Sequence, residues 1–184
     1  MKNINPKAGP LSNILFSKGI VTLPALFDWV KVLPYGRNSD RSDHTLILKE
    51  NRGTCSTKHA FVKAVAQENE WEEIALCMGF FRMNVINTPS VAAILQQHSL
   101  TEIPEAHTYL RVNDEYADLT GANSRITEND ISEEMEIEPE DIGLLKEVLH
   151  KGYLAQWKEE ENIANTIDQL WQIREECIKV FGKK

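Results

Sequence analysis

The sequence has few long apolar segments and no targeting signal. Among its 184 residues, no apolar run approaches the ~20 residues that a membrane-spanning helix requires. Residues 1–6 contain no apolar stretch of the signal-peptide type. The chain also contains no Asn-x-Ser/Thr acceptor for N-glycosylation. These absences predict a protein that does not enter a membrane and that is cytoplasmic.

Cysteine and positive charge are also scarce. The three cysteines, Cys55, Cys77 and Cys177, are odd in number and widely spaced, which is typical of free thiols in a reducing compartment. Lys and Arg number 20 against 28 Asp and Glu, giving a net charge of -8. Binding to nucleic-acid phosphates requires clustered cations, so nucleic acid is not expected as a partner.

The remaining composition suits a folded domain. Apolar residues make up 42% of the chain, enough for a hydrophobic core, and the length suits one domain over 1–184. We expect a core over about 11–125, followed by an acidic segment and C-terminal helices over 126–184. The acidic segment holds eight carboxylates and no basic residue between Glu128 and Asp141. It is interpreted as a solvated loop, or alternatively as a surface that steers cationic substrates towards a site.

The periodicity of apolar residues predicts a mixture of helices and strands. Residues 1–10 read as a loose lead-in, and the turn residues Asn113-Asp114-Glu115 predict a hairpin. The predicted strands cover 73–83, 108–112 and 116–119. The predicted helices cover 11–33 with a break near Gly19, 54–70, a short segment from Thr88 to near His98, a segment that starts at Pro139, and a final segment from Ile163 to Ile178. This pattern predicts an α+β fold.

The residues around Cys55 suggest thiol chemistry. Thr54 is a suitable N-cap, which places Cys55 in the first turn of a helix, where the backbone N–H groups favour the thiolate. The Cys55 N–H could then stabilise an oxyanion. His107 opens a strand-like run and Asp118 ends the next one, the order of a base and an orienting acid. Alternatively, these are a small buried thiol, a histidine satisfied by a backbone carbonyl and a turn carboxylate.

A metal site is a second interpretation of the same region. Cys55 and His59 are four residues apart on one helix, and with His44 or His98 they could bind zinc. Without a metal, His59 is expected to be a polar residue on the flank of the helix. A redox-responsive or metal-responsive protein is therefore a rival class to an enzyme.

Three blocks between Phe27 and Gly121 carry a resemblance to a known family. The blocks are Asp28-Trp29-Val30-Lys31 with Tyr35; Gly53-Thr54-Cys55-Ser56-Thr57-Lys58-His59-Ala60; and His107-Thr108-Tyr109-Leu110-Arg111-Val112 with Tyr116-Ala117-Asp118-Leu119-Thr120. In this order, the chain resembles the transglutaminase-like superfamily of cysteine enzymes. The blocks look like the helix and aromatic residue before the family's cysteine, its Gly-x-Cys helix, and its His strand followed by an Asp-x-Thr strand end.

The resemblance implies an α+β, transglutaminase-like (papain-like) core in which the cysteine helix packs on an antiparallel sheet. The C-terminal helices would form an extension of this core. By the same resemblance, Cys55 is the nucleophile, His107 the base and Asp118 the orienting acid, while Tyr35 or Asn38 supplies a side-chain oxyanion donor. No cofactor and no metal is implied, and the substrate would be a peptide, a protein or a small amide.

Departures from the family pattern narrow the predicted activity. Ser56 follows the cysteine where many members have Trp, and the chain has no Asp-x-Asp-x-Asp calcium loop. Both speak against the animal protein-cross-linking branch, so peptidase or amidase activity is favoured over transamidation. The alternative is a non-catalytic peptide- or protein-binding module that retains the fold. The sequence leaves the oligomeric state open.

Overall fold

The computed structural model describes residues 2–121 and 125–181. In this part of the chain, helices and an antiparallel sheet are combined, which confirms the predicted α+β class. The α-helices are α1 (Pro10–Ser17), α2 (Leu23–Val32), α3 (Ile47–Glu50), α4 (Cys55–Glu68), α5 (Ala92–Gln97), α6 (Leu144–Glu160) and α7 (Ile167–Phe181). The strands are β1 (Ile74–Asn84), β2 (Glu102–Val112), β3 (Glu115–Ala117) and β4 (Glu133–Glu136).

The N-terminal segment is anchored, and the prediction of a loose lead-in is wrong. The Ile4 N–H donates to the Val21 carbonyl at 2.9 Å, and the Leu23 N–H donates to the Lys2 carbonyl at 3.0 Å. The Ile4 side chain is buried. Backbone pairing with a distant segment therefore fixes residues whose local composition favours a loop. The predicted break between α1 and α2 is confirmed.

Helix α4 begins and ends close to its predicted bounds. A capping box formed by Thr54 and Thr57 closes its N-terminus, which satisfies backbone N–H groups that have no partner within the helix. Every residue from Ser56 to Val62 is buried. Seven consecutive buried positions span about two turns, so this half of the helix is enclosed on all sides rather than along one stripe.

The four strands form one sheet in the order β3-β2-β1-β4. The predicted hairpin is confirmed: β2 and β3 pair with Leu110 opposite Ala117 and with Arg111 opposite Tyr116. Its turn is formed by Asn113 and Asp114, whose φ angles of 49° and 66° suit these residue types. Strand β2 already begins at Glu102, so His107 lies inside the strand and does not open it.

The acidic segment contributes an edge strand instead of a purely solvated loop. The Ser132 N–H donates to the Phe80 carbonyl and the Ile137 N–H donates to the Leu76 carbonyl, both at 2.9 Å. These two bonds flank β4, whose glutamates Glu133, Glu134 and Glu136 are exposed. Charged side chains on an edge strand oppose pairing with a further strand, which explains why an acidic sequence is tolerated there.

The chain divides into two compact units. The first comprises residues 2–77, Thr108–Gly121 and Glu136–Gly143; the second comprises Met78–His107, 125–135 and 144–181. The second unit has its own apolar cluster, in which α6 and α7 provide Leu154, Trp157, Leu170, Ile173 and Cys177. The C-terminal helices thus help to form a core with residues from β1 and β2.

Within the described part of the chain, no helix combines the length and apolar character needed to cross a membrane.

A buried ion pair lies in the core of the second unit. Arg174 binds both carboxylate oxygens of Glu105 through Nε and Nη2. Burial alone raises the pKa of Glu105, but the Arg174 guanidinium and other nearby positive groups hold this pKa at about 2. His150 donates from Nε2 to the Pro104 carbonyl at 2.9 Å, and burial lowers its pKa to about 4. At neutral pH, this core therefore contains an ionised pair and a neutral imidazole.

Candidate functional site

The first unit presents one cysteine that differs from the other two. Cys55 is the first residue of α4 and is partly exposed, whereas Cys77 and Cys177 are buried. Burial raises the pKa of the Cys177 thiol to about 12, which makes it inert at neutral pH. Of the three thiols, Cys55 is thus the one that combines solvent access with a helix N-terminus.

A hydrogen-bond network fixes the start of α4. The Thr54 N–H donates to Thr57 Oγ1 at 3.0 Å, and the Thr57 hydroxyl donates to Asn38 Oδ1 at 2.8 Å. Asn38 donates from Nδ2 to Glu50 Oε2 at 3.1 Å and to the Arg52 carbonyl at 3.0 Å. An amide NH2 has two hydrogens, and both are donated here. Asn38 therefore serves this network, and the role of Tyr35 as an oxyanion donor stays a prediction.

Tyr35 lies in a segment that pairs with the residues directly before Cys55. It forms a parallel bridge with Gly53, and the Gly53 N–H donates to the Pro34 carbonyl at 3.2 Å. A Cβ on residue 53 would lie 2.8 Å from Thr57 Oγ1 and 3.0 Å from Lys58 Cγ. Glycine at this position therefore allows the loop to approach the first turn of the helix closely.

Lys58 is a buried cation in the same turn of the helix. Its side chain is completely inaccessible, and its Nζ donates to the Leu33 carbonyl at 2.7 Å and to the Thr120 carbonyl at 2.8 Å. Burial lowers the pKa of Lys58 to about 8, although Asp118 and Cys55 act in the opposite direction. The sequence interpretation missed this residue; the available signal was its spacing of three from Cys55, which places both on one helix face.

His59 is also fully buried, so its predicted place on the helix flank is wrong. Its Nε2 accepts the Leu119 N–H at 2.7 Å, and its Nδ1 lies 2.7 Å from the Cys55 carbonyl oxygen. The Leu119 N–H faces Nε2 and the Cys55 carbonyl oxygen faces Nδ1. This arrangement corresponds to the neutral tautomer with its proton on Nδ1. His59 therefore joins the helix start to the segment after β3.

The zinc alternative gains no support from this geometry. Both ring nitrogens of His59 are engaged with backbone groups, so neither is directed towards a metal shared with Cys55. Over residues 2–121 and 125–181, no group of three or more His, Cys, Asp or Glu side chains is arranged to hold a metal ion.

Asp118 directly follows β3, one position beyond the strand rather than within it. Its Oδ1 accepts the Thr120 N–H at 2.8 Å and lies 3.5 Å from His59 Nε2. The bond to the Thr120 N–H closes a turn of the Asx type. The carboxylate therefore stands in the first unit beside the residues that surround Cys55.

His107 belongs to the second unit. It is buried within β2, and its ring packs edge-on against Phe81 with 6.4 Å between the ring centroids. The next residue, Thr108, belongs to the first unit, and its Oγ1 lies 3.4 Å from Ser56 Oγ at the start of α4. The roles of His107 as base and Asp118 as its orienting acid stay predictions.

No protein-family model matches the chain, and no significantly similar protein is found among the curated proteins or the solved structures. The resemblance to the transglutaminase-like superfamily is therefore carried by the three sequence blocks alone. The interpretation of the site depends on the chemistry of its own residues.

Proposed function

We propose that this protein is a cysteine-dependent enzyme that acts on amide bonds, with Cys55 as the nucleophile. The observation that carries the proposal is the partly exposed thiol at the N-terminus of α4, with the buried ammonium of Lys58 in the same turn. A helix N-terminus and a nearby cation both favour a thiolate, the reactive form of cysteine.

The proposed reaction proceeds through an acyl-enzyme. His107 takes the Cys55 proton, and the thiolate attacks the amide carbon, whose oxygen becomes an oxyanion. The Cys55 N–H and the Tyr35 hydroxyl stabilise this charge. When the tetrahedral intermediate collapses, the C–N bond breaks and His107 returns the proton to the leaving amine. Asp118 orients the His107 ring.

Water completes the proposed cycle. It attacks the thioester, a carboxylic acid leaves, and the Cys55 thiol is regenerated. Hydrolysis of a peptide or small amide is favoured over transfer to a second amine, because Ser56 replaces the tryptophan that follows the cysteine in many members of the resembled family. The proposal includes a transglutaminase-like arrangement of the core. The contact of α4 with β2 through Ser56 and Thr108 supports it.

The proposal predicts that Cys55 is unusually reactive and that its reactivity depends on His107. We expect iodoacetamide to label Cys55 well below the ordinary thiol pKa of ~8.5, and we expect His107→Ala to lower labelling at pH 6 by about tenfold or more. The labelling rate at each cysteine is measured by mass spectrometry across pH 5–10. The buried Cys77 and Cys177 serve as internal references.

A matched histidine variant controls for nonspecific effects. His98 lies in the second unit, partly exposed, with Nε2 at 3.2 Å from Glu176 Oε2, and His98→Ala should leave the labelling profile unchanged. Labelling of Cys55 with an ordinary thiol profile in both the parent and His107→Ala would refute the catalytic proposal. The non-catalytic binding module would then be the better description. Peptide-amide hydrolysis that is lost in Cys55→Ala would establish the enzyme directly.

A further inference from the structure

We propose that Lys58 is a positioning residue that keeps Cys55 reactive, because its buried ammonium is held where it stabilises the thiolate. This inference builds on the proposed function and adds a residue that the family resemblance does not assign. A lysine three positions after the nucleophile on one helix would supply positive charge that does not depend on the protonation of a histidine.

The geometry fixes the position of the charge. The Lys58 side chain is fully enclosed, and its ammonium is held between the Leu33 carbonyl on one side and the Thr120 carbonyl on the other. A lysine on a helix surface would instead extend into water, where its charge is screened. The two carbonyls belong to segments that follow α2 and β3, so the ammonium can move away only by breaking its hydrogen bonds to both segments.

The spacing places Lys58 on the same helix face as Cys55. Side chains three apart on a helix have Cβ atoms about 5–6 Å from each other. A nearby positive charge lowers the pKa of an acid because it favours the ionised form. The coupling is reciprocal: Cys55 favours the charged form of Lys58, and so the charged form of Lys58 must favour the Cys55 thiolate.

The surrounding charges explain why the ammonium is retained in a buried position. Asp118, the residue after β3, also favours the charged form of Lys58. The His59 ring extends from α4 towards this carboxylate, with Nε2 at 3.5 Å from Asp118 Oδ1, and its two backbone hydrogen bonds correspond to the neutral ring. Lys31, on α2, is exposed. Lys58 is therefore the buried cation among the groups described around Cys55.

The test compares Lys58→Met and Lys58→Arg with the parent protein. The methionine removes the charge at nearly constant volume, so the pH midpoint of Cys55 labelling by iodoacetamide should rise by about one unit. The rate at pH 6 should fall about tenfold, while the limiting rate at high pH is preserved. Arginine keeps the charge and should restore at least part of the shift.

A second lysine on the same helix provides the matched control. The Lys63 Nζ donates to the Ile74 carbonyl at 2.8 Å, so this residue also ties α4 to a backbone oxygen. It lies eight residues after Cys55, about 12 Å along the helix axis. Lys63→Met should leave the midpoint unchanged. An equal shift in both methionine variants would mean that the effect is structural, and the proposal would be wrong.

Lys58→Gln supplies an independent reading if Lys58→Met does not fold. The glutamine amide can still donate hydrogen bonds towards the Leu33 and Thr120 carbonyls but carries no charge. The pH midpoint of Cys55 labelling should therefore rise in Lys58→Gln as in Lys58→Met. An unchanged midpoint in Lys58→Gln contradicts the proposal.

The outcomes separate this inference from the proposed function. A loss of labelling in His107→Ala without a shift in Lys58→Met would support the enzyme and refute the role of Lys58. A shift in Lys58→Met without an effect of His107→Ala would support the role of Lys58 and refute the triad. If Lys58→Met changes neither the pH midpoint nor the rate of Cys55 labelling, while Cys55 in the parent is labelled well below the ordinary thiol pKa, the inference about Lys58 is wrong and the proposed function is unaffected.

Discussion

Replacing Arg174 with methionine is expected to lower the free energy of unfolding by about 3–5 kcal/mol. The variant would leave the carboxylate of Glu105 buried without the bidentate partner that it has in the core of the second unit. Breaking a buried pair costs more than the pair contributes, because the remaining carboxylate keeps its desolvation penalty and loses both hydrogen bonds to the guanidinium. Urea denaturation of the parent and the variant at pH 7 measures the difference.

Lys151→Met serves as a control, because it removes a cation–π contact and an ion pair without breaking the buried pair of Arg174 and Glu105. Arg174 also lies over the Trp171 ring at 5.2 Å, and Lys151 lies over the same ring at 4.9 Å while pairing with Glu147 at 2.8 Å. Lys151→Met loses a cation–π contact and a surface ion pair, so it should cost only about 0.5–1 kcal/mol. Similar costs for both variants would contradict the explanation.

The effect of Arg174→Met should also depend on pH. The folded-state pKa of Glu105 is depressed to about 2 from an ordinary value of 4.5, so the pair contributes its stability above pH 4.5 and loses it as the pH falls towards 2. The difference between the parent and Arg174→Met should therefore shrink over this interval. Replacing both members, as in Glu105→Leu with Arg174→Met, should recover much of the loss at pH 7.

Gly121→Ala is expected to destabilise the first unit by about 2–4 kcal/mol. Gly121 has φ +67°, and a Cβ there would lie 2.5 Å from the Lys31 carbonyl oxygen. This contact is with backbone and cannot be relieved by rotation of a side chain. The expected cost combines the strain of a left-handed residue, about 1 kcal/mol, with about 1–3 kcal/mol for displacing the neighbouring segment.

Gly19 is a matched control for the strain alone. It has φ +78°, but an added Cβ would meet no atom within 4 Å. Gly19→Ala should therefore cost only about 1 kcal/mol. The two variants are compared by chemical denaturation, and an equal loss in both would show that the contact with Lys31 carries no cost.

Gly121→Ala also connects the fold to the proposed chemistry. The preceding residue, Thr120, supplies one of the two carbonyls that hold the Lys58 ammonium. A shift of this segment away from α2 should release the ammonium and lower the labelling rate of Cys55 near pH 6. Gly19→Ala, which lies outside this contact, should leave the labelling rate unchanged.

Local chemistry was sufficient to predict most of the elements. Thr54 indicated a helix start, and the apolar run after Glu73 indicated a strand. The hairpin followed from Asn113-Asp114-Glu115. Only the first two residues form the turn, since both residue types tolerate the positive φ angles that a two-residue turn requires, and Glu115 already belongs to β3. Helix caps and turns depend on neighbours within a few residues, so they can be read directly from the chain.

The roles of individual polar residues were harder to predict. His59 was expected on the helix flank and Asn38 was a candidate oxyanion donor, yet the first is buried between two backbone groups and the second has both amide hydrogens donated. Residue type alone does not distinguish a catalytic group from a structural one. The distinction depends on partners that lie far away in sequence, such as Leu119 for His59.

The sequence by itself determined the α+β class, most helices and strands, and a cysteine at the first turn of a helix. Only the tertiary structure decided which cysteine is partly exposed, where the N-terminal segment is anchored, and that Lys58 is enclosed beside Cys55. The physical reason is that periodicity and capping act over a few residues, whereas burial and the electrostatic field at Cys55 arise from segments around residues 33, 58 and 120 that meet only when the chain folds.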